Sequence, residues 1–276
     1  MIGVLTEVGK RVSGRWVTAM LLPGLVFVAV VTVALVLRHG QALDHGRLVG
    51  WAGRTGRGLI KDPARLVLVV VLVVAAAGVT GTTAAGLGRL IQRWFMRGWF
   101  LTGDRLVRSR FSRRSRALAA ARRAGQPAVP AYLPQRPTWL GERVRLVEAR
   151  VRAQYHLTAS LLWPRLWLLL TEDARRPIAD ARTRYTEAVT LIGWGALYLL
   201  PGVLWWPALI IAGCVLLTAW RRARESLAEW TDLVEAAIDL RLRDLAEALG
   251  QPISGPAITA AEGRALDDRL GKAGSA

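Results

Sequence analysis

In this 276-residue chain, the residue types and spacing nearest to nucleophilic chemistry are His156 and Ser160. One turn apart on a helix, an imidazole stands within reach of a hydroxyl and can act as its base. Such a pair also needs an acid to orient the imidazole and donors for an oxyanion, and neither is recognisable here. Glu172-Asp173 reads as a helix start and Asp267-Asp268 as part of a solvated tail. Residues 53–58, "GRTGRG", carry glycines but lack the Gly-Lys-Ser/Thr ending and the preceding strand of a phosphate loop. No nucleophile-elbow or metalloprotease motif occurs. His39, His45 and His156 are scattered and the single cysteine, Cys214, lies inside an apolar block, which leaves no set of zinc ligands. The expectation is a non-enzyme with no metal and no cofactor.

The remaining chemistry is ionic. Residues 104–123, "DRLVRSRFSRRSRALAAARR", hold eight arginines and one aspartate. Wound as a helix, Val107, Phe111 and Leu118 share a narrow stripe, while Arg105, Arg108, Arg113, Arg116 and Arg123 spread over the other side. The candidate site for lipid head groups or an acidic partner is therefore Arg105, Arg108, Arg110, Arg113, Arg114 and Arg116. Such a cluster beside a bilayer is drawn to anionic lipid, by about 1 kcal/mol per cation near the surface. Nucleic acid ranks last, because no stacking aromatics are interleaved and no recognition module is present.

What positions those arginines is the apolar patterning upstream. Residues 16–37 and 66–88 contain no charged residue, and each matches the ~20 residues a helix needs to cross a hydrocarbon core. A cleaved signal peptide fits the first block poorly, since its apolar run is long and no small-residue cleavage pattern follows Leu37. A third block, residues 188–220, is broken by Pro201-Gly202 and Trp206-Pro207 and reads as a hairpin of two short spans, 188–204 and 205–220. The fold class expected is all-α, an integral membrane protein with four transmembrane helices in two hairpins and a helical cytoplasmic portion.

Charge orients the chain, because Lys and Arg near span ends stay on the cytoplasmic side. Residues 1–15 carry three cations and one anion, 38–65 six and two, 89–187 twenty-one and seven, and 221–276 eight and ten. Retaining 89–187 inside makes 1–15 a cytoplasmic segment and 38–65 an external loop, with both termini cytoplasmic at the plasma membrane. The cations of 38–65 dissent and are outvoted. Trp16, Trp94, Trp99, Trp205, Trp206 and Trp220 fall at span ends or turns, where amphipathic rings favour the head-group layer.

Within 89–187, a proline-rich stretch at 126–139 interrupts helical pattern, which resumes near Glu142 with Val144, Val147, Val151 and Tyr155. Residues 157–170 are apolar but too short to span, and suit an interfacial, re-entrant or buried helix. A helix starting at Thr171-Glu172-Asp173 is expected to kink near Pro177 on its way into the third span. Residues 221–250 form a cytoplasmic stalk, with Leu227, Trp230, Val234, Ile238, Leu245 and Leu249 on one face and Glu225, Glu229, Asp232, Glu235 and Asp239 on another. The arginine-rich helix is its candidate partner within the chain. Residues 251–276 read as a mobile tail.

The second span carries two adjoining small faces, Ala77, Gly81, Ala85 and Gly78, Thr82, Gly86, where backbones can approach closely within one chain or in a homo-oligomer. Its spans hold no carboxylate or histidine, which argues against a pump. Two functions follow as expectations: an anchor or adaptor for a cytoplasmic assembly with an unidentified protein partner, or an oligomeric pore or membrane-disrupting effector with Thr80, Thr82 and Thr83 along a wet path.

Overall fold

The computed structural model describes residues 21–97, 103–124, 136, 138–251, 253, 255 and 258–271. Among them every regular element is a helix: α1 (Leu22–Leu37), α2 (His45–Ile60), α3 (Pro63–Arg97), α4 (Gly103–Arg123), α5 (Trp139–Tyr155), α6 (Ala159–Leu169), α7 (Glu172–Gly202), α8 (Pro207–Ala248) and α9 (Ala260–Gly271). The protein is all-α. Residues 1–15 lie outside the described residues.

Local chemistry explains the boundaries. The Asp44 carboxylate accepts from Arg47 N at 3.0 Å and opens α2, and the Asp62 carboxylate accepts from Arg65 N at 3.2 Å and opens α3 with Pro63 at its first position. The Thr138 hydroxyl accepts from Gly141 N and starts α5, which His156 ends in the left-handed region at φ 56°. Thr259 and Glu262 close a reciprocal capping box at α9: Thr259 N–H donates to the Glu262 carboxylate at 2.9 Å, and Glu262 N–H to the Thr259 hydroxyl at 3.3 Å.

The chain divides into two compact units, one of residues 1–91 with 187–221 and one of 92–186 with 222–276, so α3, α7 and α8 each contribute to both. In the first unit, α1, the first part of α3, the end of α7 and the start of α8 pack around Phe27, Ala84, Trp194, Leu197, Tyr198 and Ala212. Phe27 meets the Tyr198 ring edge-on at 5.3 Å, an arrangement that aromatic quadrupoles favour. The two turns of this unit are tied together: the His39 ring nitrogen donates to the Leu204 carbonyl at 2.6 Å, and the Trp205 indole donates to the Ala42 carbonyl at 2.9 Å.

The second unit has its own core, in which Val147 and Val151 of α5, Leu162 and Leu166 of α6, Ile238, Leu242 and Leu245 of α8, and Leu266 and Leu270 of α9 are buried together. Burying that many large aliphatic side chains, at roughly 1.5–3 kcal/mol each, makes this an ordinary globular interior.

Several expectations need correction. Among the described residues only one helix, Pro63–Arg93, is by itself long and apolar enough to cross a membrane, so four spans are not established. α1 is apolar but 16 residues long, and the start of the predicted span at 16–37 lies outside the described residues. The predicted spans 188–204 and 205–220 fall short because they are parts of longer helices: α7 is charge-free only between Glu187 and its end at Gly202, and α8 only from Pro207 to the arginine at 221. The segment 38–65, expected as a loop, is largely helical, as α2. α7 runs unbroken through Pro177, which lies in its second turn. Of the alternatives for 157–170, the buried helix is the one found, with Leu157, Leu162 and Leu166 fully buried. The tail at 251–276 is anchored through α9: the Asp267 carboxylate accepts from Thr158 N at 2.7 Å and from the Thr158 hydroxyl at 3.0 Å, and Arg165 donates to the Leu270 carbonyl at 2.8 Å.

Candidate functional site

The residues singled out in the second span lie on α3, and the structure divides them. Ala77 and Gly81 are buried, whereas Thr82 is exposed and Ala85 half-buried. Gly78 and Gly86 have open space where a side chain would stand. The seam in use is Ala77, Gly81, Ala84 and Gly88, spaced four, three and four apart. Residues at that spacing share one side of a helix, and neither four-residue face read from the sequence coincides with the whole of it.

Opposite the seam stand other small residues. A methyl group placed on Gly24 of α1 would lie 2.8 Å from the Ala77 Cα. One placed on Gly193 of α7 would lie 2.8 Å from the Ala84 carbonyl carbon and 2.9 Å from Gly88 N. Glycine is required at both because backbone packs directly on backbone, as it does where van der Waals contact must hold helices together without help from water. Gly24, Ala84, Gly88 and Gly193 were missed as packing residues; their only signal is smallness, which says nothing about the distant partner.

The outer surface of this unit inverts the usual distribution. Ala77, Ala84, Ala208, Ala212 and Ala219 have no exposure at all, while Val67, Val71 and Val79 of α3 are 62%, 57% and 65% exposed. Leu22 and Leu35 of α1 and Leu200 and Ile210 of the α7–α8 turn region are exposed as well. Only 11% of the most apolar stretch of α3 is buried, so it is not covered as the core helix of a water-soluble domain would be. Contiguous apolar surface on this scale marks contact with membrane or partner. The hydroxyls of Thr80, Thr82 and Thr83 donate to carbonyls of their own helix at 3.0, 2.9 and 2.8 Å. They therefore require no outside acceptor.

The arginine-rich segment forms α4. Arg113, Arg114 and Arg116 are exposed, and no ion pair reaches them among the described residues. Arg105, Arg108 and Arg110 belong to the same helix, and their side chains lie outside the described residues. Phe111, on the stripe opposite the cations, is exposed too.

The acidic face of α8 is occupied by other cations. Arg143 pairs with Asp232 and also donates to the Thr231 hydroxyl at 3.1 Å. Arg150 donates to both oxygens of Glu235 at 2.8 and 3.1 Å, and Arg184 pairs with Glu229 at 2.6 Å. Tyr155 continues the row, donating to the Asp239 carboxylate at 2.7 Å. Burial first, and then this bond to Asp239, push the Tyr155 phenol up to about 12. The α5 pairs, Arg143 with Asp232, Arg150 with Glu235 and Tyr155 with Asp239, advance in the same sense along both helices, so α5 and α8 run parallel. Among the described residues, the partners of this face come from α5 and α7.

His156 and Ser160 do not share a helix. α5 ends at Tyr155 and α6 begins at Ala159, so His156 serves as a cap. Among the described residues no three ligating side chains gather in a way that would hold a metal ion. Between α5, α6 and α8 lies an apolar hollow of about 210 Å³ walled by Val147, Trp163, Trp230 and Val234. Comparison with protein-family models, with curated proteins and with solved structures finds no match.

Proposed function

We propose that this chain is a non-enzymatic, multi-pass protein of the plasma membrane that anchors a cytoplasmic assembly, with residues 16–37, 66–88, 188–204 and 205–220 crossing the bilayer. One observation carries the reading: alanine and glycine line the helix crossings of the first unit, beside a core of Phe27, Trp194, Leu197 and Tyr198, while valine and leucine coat its outside. In water that arrangement wastes the hydrophobic driving force, whereas in lipid it is the arrangement in which close backbone packing decides stability. The two short spans stand upright or locally thin the lipid around them.

The arginine-rich region stays on the cytoplasmic side, because carrying so many cations across is disfavoured. α4 then offers Arg113, Arg114 and Arg116, exposed and without an ion pair among the described residues, to anionic head groups or to an acidic protein partner. The acidic face of α8 does not compete, since α5 and α7 already engage it.

The alternative, an oligomeric pore, would draw on the outward stripe of Gly78, Thr82 and Gly86. It has less support, because the threonine hydroxyls are satisfied within α3 and the packed seam is used inside the chain. Two measurements decide. Co-purification from native membranes after cross-linking should recover a cytoplasmic protein bound to this one, and recovery of the chain alone counts against the anchor. Cysteines placed in α4 should resist an impermeant maleimide on intact cells; labelling there refutes the orientation, and leakage of dye from reconstituted liposomes would favour the pore.

A further inference from the structure

α2 was unexpected, and its surface is distinctive. Between His45 and Lys61 there are four lysine or arginine residues and no acid. On a wheel of about 100° per residue, Arg47, Arg54 and Arg57 fall within roughly 80° of one another, with Gly50 among them. Val49, Ala52 and Ile60 cluster on the other side, within a similar arc. No residue of α2 is buried, and Val49 and Ile60 are 70% and 78% exposed. Among the described residues, an apolar strip backed by a cationic strip is therefore left without cover.

Its position says what covers it. α2 leaves the turn that His39 and Ala42 tie to Leu204 and Trp205. Two residues, Lys61 and Asp62, then lead into α3, whose exposed apolar surface begins at once with Leu66 and Val67. The uncovered strip of α2 thus adjoins the surface assigned to lipid. We propose that α2 lies flat in the head-group layer of the bilayer, with Val49, Ala52 and Ile60 inserted among the acyl chains and Arg47, Arg54 and Arg57 on anionic phospholipid phosphates.

This rests on the membrane reading above. It also gives the cations of 38–65 an anionic partner in the head-group layer. Length does not separate such a helix from a span; segregation of charge and apolar side chains does, and α2 has it.

The test uses the full chain with Cys214→Ser, reconstituted into vesicles of phosphatidylcholine with or without phosphatidylglycerol. Nitroxide labels go on Val49→Cys, Gly50→Cys and Val71→Cys, one at a time. The Gly50 site has open space around it, so a label there disturbs no packing. Collisions with oxygen and with a water-soluble nickel chelate then report depth. The expected result is Val71 in hydrocarbon, Val49 shallow but shielded from nickel, and Gly50 open to it. Phosphatidylglycerol should shift Val49 toward the docked state, and Arg47→Gln, Arg54→Gln and Arg57→Gln should each lower the docked-to-undocked ratio about fivefold. If Val49 and Gly50 meet nickel equally while Val71 stays in lipid, the interfacial helix is overturned and the membrane reading survives. If Val71 also meets nickel, both fall. Docking indifferent to phosphatidylglycerol overturns the assignment to anionic lipid.

Discussion

Replacing Gly193 by alanine adds one methyl group at the point where α7 crosses α3. That methyl would stand 2.8 Å from the Ala84 carbonyl carbon and 2.9 Å from Gly88 N, where ordinary contact begins at 3.4 Å. Both neighbours are backbone atoms of a regular helix, so neither can rotate aside. The helices must separate by about half an ångström or more, opening gaps along the Ala77, Gly81, Ala84 and Gly88 seam. Overpacking of this kind costs roughly 1–3 kcal/mol. Gly78 on the same helix is the control, since nothing lies within 4 Å of a methyl placed there. Gly78→Ala should be neutral or slightly stabilising through helix propensity. The assay is thermal unfolding of detergent-solubilised protein, followed by loss of the monodisperse elution peak. Gly193→Ala is expected to lower the midpoint by several degrees and Gly78→Ala to leave it unchanged. A Gly193→Ala protein as stable as the parent, or equal losses from both variants, would refute the assigned seam.

Asp267→Ala removes both bonds that fasten α9 to Thr158; at roughly 1–3 kcal/mol for the groups left unsatisfied, α9 should detach more often, and trypsin should cut at Arg264 and Arg269 about tenfold faster or more. Unchanged cleavage would mean that the apolar contacts of Leu266 and Leu270 hold α9 alone. Tyr155 titrates at about 12 in the folded protein, above the 10.0 of a free phenol, so its stabilising contribution is complete below pH 10 and lost as pH rises through 12. Asp239→Asn should lower that value while leaving it above 10, because burial is the larger cause; ultraviolet titration of parent and variant reads the difference, and identical curves would refute the bond.

Periodicity made much of the second unit readable. Leu227, Ile238 and Leu245 of α8 recur at helical spacing and are buried as such, and Val147 and Val151 of α5 likewise. Signals for two other helices were present but masked by composition. α2 opens on a capping aspartate, yet carries glycine at 46, 50, 53, 56 and 58, each lowering helix propensity by up to about 1 kcal/mol. α9 has a complete capping box at Thr259–Glu262, hidden in a small-residue stretch that resembles a tail.

The amino-acid order alone determined that the chain is helical, where its apolar blocks fall and that its cations gather on one segment, because these depend on neighbours within a few turns. The tertiary structure alone decided which small residues touch, since the seam on α3 is selected by Gly24 and Gly193, which lie on separate helices far along the chain. It also decided which arginines neutralise α8: Arg143, Arg150 and Arg184 are brought to its acidic row, and none of the α4 arginines with described side chains, Arg113, Arg114, Arg116 and Arg123, pairs with it. Charge density is a property of a segment, but pairing requires two side chains within a few ångströms, and only the packing of distant helices sets that distance.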